Sequence, residues 1–166
     1  MVWGNGAAYA TWFTAIPSQI HGINFLPITG GSLYLGHSPA HIEANYDELV
    51  KNGGNENASM VWAGLDWSAL ALGNPAKAST LLDTYFDAYS SEEGETKAVT
   101  YHWIHSLNVL GTPDASVTAS LPTAAAFIKG GVRTYTAYNP TQAALTVTFS
   151  TGKTLAVPAR SMASGK

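Results

Sequence analysis

From Met1 to Ile42 the chain carries no Asp, Glu, Lys or Arg. An average sequence, roughly a quarter charged, would place about ten such residues there. A stretch like this is ill suited to the outer face of a free-standing domain. It is not a membrane span either, because Gly, Pro, Asn, Gln, Ser and Thr break every apolar run well short of the roughly 18 residues needed. It is therefore expected to be covered by protein, as the wall or floor of something larger. It holds the rings of Trp3, Tyr9, Trp12, Phe13, Phe25 and Tyr34 together with uncharged hydrogen-bonding groups such as Asn24. Two readings fit. One is a tightly packed core segment. The other is a surface for an uncharged polyhydroxylated ligand, whose C–H faces pack on rings and whose hydroxyls need amides and carbonyls.

The totals point the same way. One domain is the default for 166 residues, and 46% hydrophobic residues suffice for a core. Only 11% are charged, which suits part of a larger body better than an independent domain. A net charge of −3 argues against nucleic acid, which calls for a basic patch. No polybasic run suits a membrane surface. With no cysteine, disulfides and thiolate metal sites are excluded. No basic stretch leading into an apolar one follows Met1, so no secretion signal is expected in this sequence.

Along the chain, a first helix is expected over about Ala7–Thr14, ending near Pro17. Gln19 to Gly36 is punctuated by Gly22, Pro27, Gly30, Gly31 and Gly36, and is expected to be irregular or briefly extended. Ser38 is the expected N-cap of a helix with Pro39 at its first position, running to about Lys51. Ile42, Tyr46, Leu49 and Val50 share its apolar face. Ser59 to Leu72 reads as a helix apolar nearly all round, with Asp66 its only charge, hence buried on more than one side. Asn74-Pro75 opens another, whose stripe is Ala78, Leu81, Leu82, Tyr85, Phe86 and Tyr89. A further helix is expected from Lys97 to Leu110, stopped by Gly111 and Pro113. After Asp114 no acid appears, and Ala124–Lys129, Arg133–Tyr138, Leu145–Phe149 and Thr154–Val157 read as strands. Leu145, Val147 and Phe149 alternate with Thr146 and Thr148, giving one wet face and one that needs a cover. The fold class is mainly α with a C-terminal β segment, divided as 1–112 and 113–166.

Few residues suggest chemistry of their own. Glu92, Glu93 and Glu95 lie in a turn before a helix, where solvated acids favour the helix N-terminus. His102 and His105 stand three apart and share a helix face, as metal sites can use, but no third ligand is evident at motif spacing. Core or interface histidines are the expected reading, and no metal or cofactor is called for. Tyr9 and Trp12 are three apart on one helix face, suited to sugar stacking or to core packing. His21 precedes Gly22, whose missing side chain permits close approach of a ligand, with a structural hydrogen bond as the alternative. Gly30-Gly31-Ser32 is no phosphate loop, since no Gly-Lys-Ser/Thr follows.

Three blocks carry a resemblance. They are Tyr9-Ala10-Thr11-Trp12-Phe13 with Ile20-His21-Gly22-Ile23-Asn24-Phe25-Leu26-Pro27-Ile28-Thr29, then Gly94-Glu95-Thr96-Lys97-Ala98-Val99-Thr100-Tyr101-His102-Trp103-Ile104-His105, then Gly130-Gly131-Val132-Arg133-Thr134-Tyr135-Thr136-Ala137-Tyr138-Asn139-Pro140. In this order they resemble the late catalytic region of glycoside hydrolase family 81, the endo-β-1,3-glucanases or laminarinases. The resemblance implies the closing part of an (α/α)6 toroid followed by a small antiparallel β-sheet. It implies an inverting hydrolase with an Asp acid and a Glu base. The family's Glu-Ser-(Ser/Thr)-Ser-Glu-Ala-like motif lies upstream of the matching region and is absent here, as is the segment expected to hold the Asp. No catalytic residue is therefore assigned in this chain. Tyr9, Trp12, His21, Asn24 and Glu95 are expected substrate contacts, the substrate being β-1,3-glucan. The implied partner is the upstream remainder of the catalytic domain, and the whole is expected to be secreted as part of a longer chain. The alternatives are a non-catalytic β-glucan-binding module and a purely structural domain.

Overall fold

A computed structural model describes residues 11, 14–22, 30–53, 62–91 and 94–166. The chain divides into two compact units, Met1–Val109 and Leu110–Lys166. The first is helical and the second is built from antiparallel strands.

The first unit contains α1 (Pro17–Gly22), a 3-10 helix (Gly30–His37), α2 (Pro39–Lys51), α3 (Ala63–Leu70), α4 (Pro75–Tyr85) and α5 (Lys97–Leu110), which leads into the second unit. The helix expected over Ala7–Thr14 falls largely outside the described residues. Pro17 opens α1, a helix that was not expected. The Ile16 carbonyl accepts from Gln19 N at 3.1 Å and Ile20 N at 3.0 Å, and a proline at the first helical position lacks only an N–H that would have had no partner. Helical turns over Pro17–Gly22 and Gly30–His37 also replace the irregular structure expected between Gln19 and Gly36.

Helix α2 begins where expected, although the Ser38 side chain makes no capping bond. Its carbonyl and the fixed φ of Pro39 set the first turn. Ile42, Asn45, Tyr46 and Leu49 are buried at the i, i+3, i+4, i+7 spacing of a single face. All eight residues of α3 are buried, Asp66 among them, as its all-round apolar pattern required. It is shorter than the expected Ser59–Leu72. At its end Leu72 N turns to the Ala69 carbonyl and Gly73 N to that of Leu70, tightening the chain into a turn. The Asn74 side chain caps α4 by accepting from Lys77 N at 3.0 Å, and its amide donates to Glu43 of α2 at 2.6 Å. Trp67 lies between Tyr85, stacked at 6.2 Å, and Tyr89, edge-on at 5.4 Å.

The second unit has β1 (Thr112–Pro113), β2 (Ala124–Lys129), β3 (Val132–Tyr138), β4 (Leu145–Thr148), β5 (Thr154–Val157) and β6 (Met162–Gly165). Two sheets stand in place of the single small sheet expected: a four-stranded one in the order β1-β2-β3-β6, and the β4–β5 pair. The short strands β1 and β6 carry too little alternation to be recognised alone. Ala126, Tyr135 and Ala137 of the larger sheet share one core with Val147, Phe149, Leu155 and Val157. The cover needed by the apolar face of β4–β5 therefore comes from within this unit. Gly130 and Gly131, at φ 55° and 77°, form the two-residue turn joining β2 to β3. At Gly111, φ is 99° and an added Cβ would stand 2.0 Å from the Ile128 carbonyl oxygen, so only glycine fits where the chain leaves α5.

Candidate functional site

Of the five expected substrate contacts, Tyr9, Trp12 and Asn24 lie outside the described residues. His21 lies in α1, with its side chain outside them as well. Glu95 is half-buried just before α5. The structure therefore does not bring these five together within the described residues, and the site is built from Glu95 outward.

Gly94 takes φ 91°, turning the chain so that Thr96 can cap α5. Thr96 Oγ1 accepts from Val99 N at 3.2 Å, satisfying a donor of the first turn. Lys97, the first residue of α5, extends over the rings of Tyr89 at 4.6 Å and Phe86 at 5.2 Å, and donates to the Phe86 carbonyl. A lysine at a helix N-terminus opposes the macrodipole, and these contacts offset that cost. Burial raises the pKa of the Tyr89 phenol, Thr100 opposes the rise, and the Glu95 carboxylate adds to it. Glu95 thus sits near the buried Tyr89 phenol, not in the fully solvated turn that its neighbours suggested. A half-buried carboxylate in this position can accept from hydroxyls.

The two histidines of α5 part company. His102 is exposed, so of the core or interface expectation only the interface half is left open for it. His105 is half-buried, its Nε2 3.0 Å from Asp83 Oδ1 and its Nδ1 3.4 Å from Ser79 Oγ. No group of three or more metal-ligating side chains occurs among the described residues. At the start of α2, Leu35, His37, Ser38 and His41 line a cavity of about 240 Å³. His37 donates its Nδ1–H to the Tyr34 carbonyl at 2.8 Å. Burial, with the His37 charge, holds the pKa of His41 below its usual value. Sequence reasoning missed the Lys97–Tyr89 contact, since nothing in a linear pattern marks a lysine on a ring eight residues upstream.

Residues 1–104 match the Glycosyl hydrolase family 81 C-terminal domain, and the chain belongs to that family. A glucan endo-1,3-beta-D-glucosidase of Thermobifida fusca is 44% identical over 165 residues, covering 99% of this chain and 22% of the relative. One from Acetivibrio thermocellus is 43% identical over 163 residues, covering 98% and 21%. A solved glycoside hydrolase family 81 structure from Clostridium thermocellum, a mutant form, superposes with a TM-score of 0.80 at 41% identity, covering 99% of this chain and 21% of that one. The chain spans about a fifth of the length of the curated relatives it matches.

Proposed function

We propose that this chain is the C-terminal portion of an inverting endo-β-1,3-glucanase acting on laminarin-type β-1,3-glucan. Its helical part, 1–112, forms the closing helices of an (α/α)6 toroid, and 113–166 forms the β segment that follows. The carboxylic acid and the water-activating carboxylate lie upstream, in the remainder of the catalytic domain. This chain contributes cleft wall and sugar contacts from Tyr9, Trp12, His21, Asn24 and Glu95. The complete protein is secreted, since its substrate is a polymer outside the cell.

The observation that carries this reading is the likeness of 98–99% of the chain to about a fifth of each of two glucan endo-1,3-beta-D-glucosidases. The corner at Glu95 supports it, having the mixed aromatic and polar character that sugar recognition uses. Inversion requires an acid and a base held across the scissile bond. The test is reducing-sugar release from laminarin by the chain alone and by the chain joined to the upstream region of such an enzyme. The joined protein hydrolyses laminarin and the chain alone does not. Turnover by the chain alone would overturn the reading.

A further inference from the structure

We draw no further inference here: the strongest candidate, the uncharged outer face of α5 formed by Val99, His102, Ser106 and Val109, is exposed in a chain that spans about a fifth of the length of its relatives, and nothing in the structure shows what covers it.

Discussion

The indole Nε1–H of Trp103 donates to the Ser68 carbonyl oxygen across 2.9 Å, tying α5 to the last turn of α3. That carbonyl is one of those a helix end leaves without a partner inside the helix, because Leu72 N turns instead to Ala69. A side chain 35 residues further on therefore completes α3.

Trp103→Phe keeps a ring but removes this donor, leaving a largely buried carbonyl unpaired. The expected loss is about 1–3 kcal/mol of stability, measured by urea unfolding. A loss within about 0.5 kcal/mol, the size of an ordinary surface substitution, would show that the bond is not needed.

Asp66 gives a prediction in pH. It is fully buried in α3, neither carboxyl oxygen has a hydrogen-bond partner among the described residues, and burial raises its pKa well above the usual carboxylate range. The folded state therefore keeps a proton that the unfolded chain gives up near pH 4. The contribution of this group is fully present below the unfolded pKa and declines as pH rises from there toward the raised folded value. Asp66→Asn should flatten that decline, so that the gap in melting temperature between variant and parent widens in the variant's favour from pH 4 to pH 7. An unchanged gap across that range would contradict the burial of an uncharged carboxyl.

The second unit makes the opposite pH prediction. Asp114 receives the Ser116 hydroxyl and the Arg133 guanidinium, whose Nε and Nη2 lie 2.8 Å and 2.7 Å from Oδ2. These hold its carboxyl below its usual pKa, Ser116 foremost. The stability it confers is present above the unfolded pKa and is lost as pH falls through the lower folded value. Arg133→Ala should lower stability at pH 7 and lower it less at pH 3, by chemical denaturation. An equal loss at both would show that the arginine acts through packing alone.

Elements whose local signals agree were legible in sequence. Asn74-Pro75 gave the start of α4, because a cap and a first-position proline coincide, and Ala124–Lys129 gave β2 within its observed bounds. The start of α1 at Pro17 was not legible, because a proline is compatible with either side of a helix boundary and only the bonds to the Ile16 carbonyl mark a beginning here. Asn139 stands between β3 and Pro140. It is fully buried, its Nδ2 within 2.8–3.1 Å of the Ala143, Val157 and Pro158 carbonyls and its Oδ1 accepting from Thr141. No local pattern reports partners 18 or 19 residues away. The corner at Glu95 was half legible: the acid was singled out, but nothing local brings it near Tyr89 or lays Lys97 on the Tyr89 ring.

The proposed role in a β-1,3-glucanase places the catalytic acid and base elsewhere in the protein. Reducing-sugar release from laminarin, at matched protein concentration, tests it most directly. The chain alone should give no turnover, since losing even one positioned acid or base typically costs on the order of 10²–10⁴ in rate. Joined to the upstream region it should hydrolyse laminarin, and His21→Ala or Glu95→Ala should then weaken substrate use by about 1–3 kcal/mol without abolishing it. Clear turnover by the chain alone, lost on changing Glu92, Glu93 or Glu95, would contradict the account and place a catalytic carboxylate in the turn before α5.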